Sequence, residues 1–515
     1  MGSDDLSTQA TTANKVDTTL SDLITDLPFP GSTLLVVSHQ HRLTLDEVRD
    51  HVRTLGSILE DAGVTRGTAV GVRVEEGARS LLAMFAVWRA GGVYVPINGR
   101  STPEEVAASV AETPIALIID SAGSLPAGVH GIGLVQFDES LSATLVTQAS
   151  QDRERYAPDV ALAMRTSGTT GRPKSVLLRH SGTVGALDSS LRKIRRRTDN
   201  SIDATGPVRM NLVPTSLSLW AGIYNTVFSF RAGFGVILMD KFDVARFVSY
   251  VREFSINSTV LAPAMITMLT DDPAVDDLTP LKFVRSITAP LSPKVAREFY
   301  KKFGVFVLNS YGQTELGGEV VGWNSADVRE FGVSKLGAAG RAYEDVDIQI
   351  RGENGDVLGP AQLGEIHVNS PFRMRGYANN GSGSVEDDRF VDGYLRTGDV
   401  GKLDEDGFLW IEGRISDMIN RGGLKVFPDE VEEVLRRHPD VRDAAVAAVP
   451  DRRLGEVPQA WIVSERPDVV SDLEAWCREH LVPYKIPARF TRVDSFPRNE
   501  IGKVLRRELA KSPPS

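Results

Sequence analysis

Thr166-Ser167-Gly168-Thr169-Thr170-Gly171-Arg172-Pro173-Lys174 puts four hydroxyl side chains, two glycines and a lysine into nine positions. Glycines let successive backbone N–H groups turn toward a common point, which makes an anion-binding nest. The hydroxyls add donors, and Lys174 adds a positive charge that can reach a phosphate. The spacing is not that of a P-loop, which needs Gly-Lys-Ser/Thr opening a helix. Here Pro173 stands between the last glycine and the lysine. Taken alone, such a stretch reads equally well as a flexible Ser/Thr/Gly connector.

Four further stretches follow in order: Asn309-Ser310-Tyr311-Gly312-Gln313-Thr314-Glu315, Tyr394-Leu395-Arg396-Thr397-Gly398-Asp399, Gly413-Arg414-Ile415-Ser416-Asp417 and Pro497-Arg498-Asn499-Glu500-Ile501-Gly502-Lys503. With the first stretch they make the chain resemble the adenylate-forming superfamily from about Leu43 to Leu509. That superfamily comprises acyl-CoA synthetases, the adenylation domains of peptide synthetases, and luciferases. The look is closest to acyl-CoA synthetases.

The resemblance implies ATP-dependent activation of a small-molecule carboxylic acid as acyl-AMP, with release of pyrophosphate. Transfer to a thiol then follows, with CoA as first choice. A carrier-protein phosphopantetheine or an amine acceptor are the alternatives, and a silent nucleotide-binding scaffold is a further one. The ATP site implied comprises Thr166, Ser167, Gly168, Thr169, Thr170, Gly171, Lys174, Ala289, Pro290, Tyr311, Gly312, Gln313, Asp399 and Arg414. In it Tyr311 stacks on adenine, Thr314 donates to the α-phosphate, and Asp399 accepts both ribose hydroxyls, as a carboxylate with several lone pairs can. Glu315 is the implied Mg²⁺ ligand, because Mg²⁺ takes carboxylate and phosphate oxygens together. Lys503 is the implied catalytic cation at the α-phosphate, with Thr314 and Glu315 beside it in the reaction. Ser416 marks the implied hinge, and Gly422 and Gly423 the side approached by the thiol.

Departures from the family pattern bear on the substrate. Pro214-Thr215-Ser216-Leu217-Ser218-Leu219-Trp220 lacks the histidine of many acyl-CoA synthetases. Laid on the Phe-Asp-x-Ser-x-Trp-Glu block of peptide-synthetase domains, it puts Ser216 where an aspartate would pair with an α-amino group. A buried ammonium without a carboxylate is costly, so an ordinary α-amino acid is disfavoured. Ser216, Trp220, Tyr224, Asn225 and Thr288 are the acyl-pocket candidates, although buried aromatics more often serve packing. Ile287-Thr288 stands where relatives carry smaller residues before Ala289-Pro290.

The elements that must carry these residues can be read from hydrophobic period. Apolar residues recur at helical spacing over 43–63, with Asp46 and Glu47 near the start and Gly63 at the end. A strand is expected over 69–74, a helix over 78–90 stopped by Gly91-Gly92, and strands over 93–97, 115–120 and 160–164. Such alternation implies parallel sheet covered by helices. Residues 121–155 show little pattern. Short β patterns over 337–377 suggest a small barrel-like subdomain, and a helix is expected over 428–437 with Pro428 near N1. The expected fold is therefore α/β. A large N-terminal domain of parallel-rich sheets over 23–414 would precede a hinge at 415–416 and a small mobile α+β lid over 417–515. Residues 1–22 are polar and suggest a loose tail.

Composition narrows the class. A chain of 515 residues exceeds one core. A formal net charge of −10 argues against nucleic acid or anionic membrane as a partner. The densest basic run, Lys193 with Arg195, Arg196 and Arg197, is expected to be a solvated helix end. The lone cysteine, Cys477, excludes an internal disulfide framework and suits a reducing, cytoplasmic setting; it is expected to be a packed thiol in a helix. His180 is expected to be structural. No transmembrane run is evident, and a monomer or homodimer is expected.

Overall fold

A computed structural model describes residues 19–166, 174–195, 202, 206–289, 291–378, 384–385, 389–498 and 504–510. Its largest sheet has nine strands. At its centre the strands Val160–Thr166, Val93–Ile97, Ala69–Arg73, Ile115–Asp120 and Gly133–Phe137 run parallel. These apolar runs are buried on both faces, as parallel sheets require. Antiparallel strands finish both edges: Lys174–Arg179 beside Val160–Thr166, and Ala143–Thr147 beside Gly133–Phe137. The last two strands of that edge fall inside the span that showed little sequence pattern. The Ala143–Thr147 edge strand is largely exposed and mixes threonines with Ala143, Leu145 and Val146, so its period is blurred.

Helix Leu45–Asp61 starts at a capping box in which Thr44 and Glu47 satisfy each other's backbone N–H groups. Helix Gly77–Arg89 lies beneath the large sheet and is buried all round, which its almost unbroken apolar sequence demands. Phe85 meets Trp88 and Phe230 edge-on, with centroids 5.1 and 5.7 Å apart. Each such pair adds about 0.5–1.5 kcal/mol beyond burial.

A second, four-stranded sheet runs in the order Met210–Val213, Gly235–Leu238, Leu34–Val37, Arg42–Thr44. Beside it stand three parallel strands, Ser258–Leu261, Phe283–Ser286 and Phe306–Asn309. Thr259 Oγ1 donates to the Leu212 carbonyl at 2.7 Å and ties the two sheets together. Antiparallel strands from Tyr311–Gln313 to Leu409–Arg414 then form two sheets around one apolar core, with Gly340 and Leu409 bridging them. This is the barrel-like subdomain expected from 337–377, although it also recruits the strand Tyr394–Leu403.

The C-terminal part has its own core. Strands Ile419–Arg421, Leu424–Val426, Asp443–Asp451, Gly455–Val463 and Arg489–Val493 form one sheet, and helices Pro428–Arg436 and Val470–His480 share its core. Pro428 opens its helix at N1. Cys477 is fully buried in this core, and burial pushes its thiol up to about 12, so it is a packed group and not a reactive thiolate.

Two expectations need correction. Leu20 is completely buried, and its N–H donates to His180 Nδ1 at 3.1 Å. Packed chain therefore begins before residue 23. The basic run is not simply solvated either. Lys193 is only 11% exposed and lies 3.7 Å from Asp327, which also takes Arg341 at 2.9 Å. Desolvation holds the Lys193 pKa below its usual value, against the pull of Asp327. Arg196, Arg197 and the side chain of Arg195 lie outside the described residues.

Candidate active site

The candidate residues gather where the ends of several sheets meet. Asp399 sits on strand Tyr394–Leu403 directly across from Arg414, the last residue of strand Leu409–Arg414. Its side chain is 5% exposed and receives three donors. Tyr311 donates its hydroxyl at 2.8 Å, Gln313 Nε2 donates at 2.7 Å, and Arg414 Nε stands at 2.8 Å. Burial and the neighbouring carboxylate push the Tyr311 phenol well up, which keeps it a donor. Arg414 stays half exposed beside Asp399, with 42% of its side chain open to solvent. Gly312 has no room for a side chain: a Cβ would lie 2.2 Å from the Gly318 carbonyl oxygen.

Thr314 and Glu315 lie in a 3-10 turn, Thr314–Leu316, that follows strand Tyr311–Gln313. Glu315 Oε1 accepts from the Tyr377 hydroxyl at 2.8 Å and lies 3.4 Å from Arg389 Nη2. Arg389 also meets the Tyr377 hydroxyl. Tyr377 sits on strand Gly376–Ala378, which pairs with strand Lys174–Arg179. Lys174 Nζ lies over the Tyr377 ring, 4.8 Å from its centroid. Thr166 and Lys174 face each other across the hairpin, and Thr166 Oγ1 donates to the Lys174 carbonyl at 3.3 Å. The base of the Ser/Thr/Gly loop is thus joined through Tyr377 to Glu315. Ser167, Gly168, Thr169, Thr170 and Gly171 lie outside the described residues, as do Pro290 and Lys503. Lys503 falls between Arg498 and Val504, which pair in an antiparallel bridge.

The acyl candidates divide. Ser216 and Ser218 share a hydrogen bond of 2.9 Å just before helix Trp220–Arg231. Trp220 is partly exposed, with its ring 5.6 Å from that of Tyr224. Tyr224 is buried and bonded to Ser190 Oγ at 2.6 Å. Asn225 is buried too, donating Nδ2 to the Ala221 carbonyl at 2.8 Å and presenting Oδ1 to Arg285 at 3.2 Å. Thr288 and Ala289 follow the central parallel strand Phe283–Ser286, the kind of carboxyl-end crevice where open α/β sheets bind ligands. Thr288 has φ 73°, a left-handed backbone that a β-branched residue rarely adopts and that costs on the order of 1–3 kcal/mol.

Sequence reasoning passed over Tyr377, Arg389, Arg285 and Glu319. Tyr377 and Arg389 belong to no contiguous motif and are recruited only by strand pairing. Arg285 carried a signal, since a charge inside a short central strand between Val284 and Ser286 asks for a partner. Its partner is Glu319, at 2.8 Å.

The acceptor-side candidates Gly422 and Gly423 form the turn between strands Ile419–Arg421 and Leu424–Val426, with φ 60° and 91°. Both are conformations that favour glycine. Ser416 is exposed in the 3-10 turn Ile415–Asp417. Among the described residues, side chains join the two parts of the molecule, Lys425 with Glu353 among them. Ser292 Oγ donates to Glu433 Oε2 at 2.5 Å, Lys294 meets the Arg436 carbonyl, and Arg442 reaches Asp271 at 3.2 Å. His180, half-buried and accepting from the Leu20 N–H, has a structural partner.

Residues 28–378 match the AMP-binding enzyme family, and residues 430–503 match the AMP-binding enzyme C-terminal domain. The chain is 31% identical over 493 residues to a fatty acid–[acyl-carrier-protein] ligase, ScoC, of Streptomyces coeruleorubidus, covering 93% of each chain. It resembles the O-succinylbenzoate coenzyme A synthetase MenE of Bacillus subtilis in complex with ATP and magnesium, at TM-score 0.80 and 26% identity, over 95% of this chain and 98% of that one. The amide bond synthetase McbA of Marinactinospora thermotolerans resembles it at TM-score 0.81 and 26% identity, with 95% and 98% covered. Among the described residues no helix is long and apolar enough to cross a membrane. A family match over more than half the chain, on a fold with a large N-terminal and a small C-terminal domain, makes this protein a member of the AMP-binding enzyme family.

Proposed function

We propose that this enzyme joins a carboxylic acid to the α-phosphate of ATP, releases pyrophosphate, and passes the acyl group to a thiol, with CoA as the first choice. The observation that carries this reading is the convergence of Tyr311, Gln313 and Arg414 on the buried Asp399, with Glu315 coupled through Tyr377 to the base of the Ser/Thr/Gly loop. In the second turnover step the thiol would attack the acyl carbonyl and AMP would leave.

Both first-step reactants are anions, so the protein's task is to neutralise charge and hold the two in line. Asp399 would accept the ribose hydroxyls, Tyr311 would lie against adenine beside Gly312, Ala289 and Pro290, and Arg414 would reach the ribose or phosphates. Lys174, Thr314 and the loop residues Thr166, Ser167, Thr169 and Thr170 would surround the phosphates, with Gly168 and Gly171 giving the backbone room to approach. Glu315 suits Mg²⁺: one carboxylate oxygen and the substrate's phosphates satisfy an ion that keeps much of its water. Bound there, the ion would offset phosphate charge. Lys503 would bring its cation to the α-phosphate. Removing one preorganised donor of this kind costs on the order of hundredfold in rate.

Residues 23–414 would form the adenylation domain and 417–515 the lid, turning about 415–416 with Ser416 as hinge and Gly422 and Gly423 toward the thiol. The acid would not be an ordinary α-amino acid: Ser216 replaces the expected carboxylate, and Glu319 is already held by Arg285. A carrier-protein phosphopantetheine is the second reading, favoured by the 31% identical carrier-protein ligase. An amine acceptor is the third, favoured by the amide bond synthetase. We take the enzyme to be cytoplasmic, as a monomer or homodimer. ATP–pyrophosphate exchange over aromatic, aliphatic and amino acids tests the first step, and CoA, a carrier protein or amines added to the hits test the second. Exchange with several α-amino acids would sink the substrate reading. Absence of exchange together with absence of ATP binding would sink the adenylation reading.

A further inference from the structure

Arg285 occupies the middle strand of three parallel strands, between Val260 and Leu308, where apolar residues usually stand. Its guanidinium points toward helix Trp220–Arg231 and strand Gly318–Gly322: Nη1 donates to Glu319 Oε2 at 2.8 Å and Nη2 to Asn225 Oδ1 at 3.2 Å. The guanidinium carbon lies over the Phe228 ring, 5.5 Å from its centroid. Burial works against its charge, but Glu319 holds the group protonated. Although Arg285 lies on a central strand, its side chain remains 22% exposed, against 10% for Glu319. The pair therefore keeps contact with solvent two residues before Ile287-Thr288, and the cation is its more open half.

We propose that Arg285, neutralised by Glu319 and braced by Asn225, is a specificity-determining residue that takes an oxygen acceptor at the end of the acyl substrate remote from the reacting carboxylate. This rests on the adenylation reading above. The substrate class it selects is a compact acid, aryl or short-chain, bearing a hydroxyl, oxo or carboxylate group. Two of the five N–H groups of a guanidinium are used on Glu319 and Asn225, which leaves donors for a ligand. A plain alkyl tail laid over the pair would strip its remaining water and return no hydrogen bond, which is the costly case for buried charge. Sites built to bond a substrate oxygen reject the analogue lacking it far more strongly than apolar pockets reject an extra methylene.

The test uses non-hydrolysable acyl-sulfamoyl adenosines, which report tail recognition by calorimetry without turnover. The tails are 4-hydroxybenzoyl, 4-carboxybenzoyl, 4-methylbenzoyl and octanoyl. The full chain should bind at least one oxygen-bearing tail about tenfold or more tighter than the methyl and octanoyl tails. In the Arg285→Met/Glu319→Gln double variant, which leaves no lone buried charge, that gap should fall to about twofold or less; the variant's AMP affinity and melting temperature report its fold. The proposal is overturned if the apolar tails bind as well or better, or if the gap survives in the double variant. AMP binding without any tail discrimination overturns this proposal alone. Failure of AMP and of every analogue to bind overturns the adenylation reading together with it.

Discussion

Asp399 shows what a single side chain must satisfy here. It is nearly fully buried, and three donors from two strands meet its two oxygens. A carboxylate so placed either gathers donors or destabilises the fold, because a buried charge without partners is strongly unfavourable. Asp399→Asn keeps the shape but replaces one acceptor with a donor aimed at donors. Losing one partner of a buried, hydrogen-bonded charge pair costs about 2–5 kcal/mol. We expect ATP affinity to fall about thirtyfold or more, measured by calorimetry on protein shown to be folded by its melting curve. ATP affinity within about twofold of the parent would remove Asp399 from the nucleotide site. The motif around Asp399 was legible in the sequence because Thr397-Gly398-Asp399 is contiguous. Its partner Gln313 was placed only within the nucleotide-binding motif, and its hydrogen bond to Asp399 emerges from strand packing.

Among the elements, those with a clean period were readable and those that owe their form to pairing were not. The helix expected over 43–63 is Leu45–Asp61, and the one expected over 78–90 is Gly77–Arg89. Both have apolar residues at helical spacing and a clear stop. The edge strand Ala143–Thr147 escaped because, with one face wet, it has no continuous apolar run, and Gly133–Phe137 because Gln136 interrupts a very short one. The last helix among the described residues, Arg506–Leu509, is too short for any period, yet its Arg506 anchors it to the C-terminal core. Arg506 Nε donates to Glu432 at 2.9 Å, and its fork also meets Asp429 and lies 3.7 Å from Asp417, one residue past Ser416. Glu432 is 4% exposed and would keep Arg436 at 3.0 Å and the Val446 N–H, whereas Asp429 would lose the arginine it meets. Breaking one arm of such a network costs about 0.5–3 kcal/mol. Arg506→Ala should therefore loosen the C-terminal domain and slow pyrophosphate exchange about tenfold or more. Thiol transfer from a preformed acyl adenylate should fall less, because the proposed mechanism uses Lys503 only in the first step. Equal loss of both half-reactions would show that Arg506 acts on the domain as a whole and not on the segment bearing Lys503.

At the scale of the whole molecule, two half-buried groups outside the candidate site set opposing responses to pH. His180 accepts the Leu20 N–H through Nδ1, and burial lowers its pKa from 6.5 to about 4. The fold holds it neutral, so its share of stability is complete above pH 6.5 and is lost as pH falls toward 4. The full loss would be on the order of 3 kcal/mol. Asp240 accepts the Gly77 N–H at 2.8 Å, and burial beside Glu76 raises its pKa to about 7. The fold favours its protonated form, so its share is present at acid pH and is lost as pH rises from 3.8 toward 7. The two slopes oppose each other over the range they share, and the parent protein should show a shallow stability profile there. Removing one group should expose the other. Asp240→Asn, which cannot ionise, should stabilise the protein more at pH 8 than at pH 5 and leave a profile that falls toward acid. His180→Gln should do the reverse, with stability declining as pH rises through neutrality. Urea unfolding of the three proteins across pH 4.5–8 reads this directly. If both variants kept the parent's slope, neither group would be titrating in its buried setting, and Leu20 would owe its anchorage to packing and not to the state of His180.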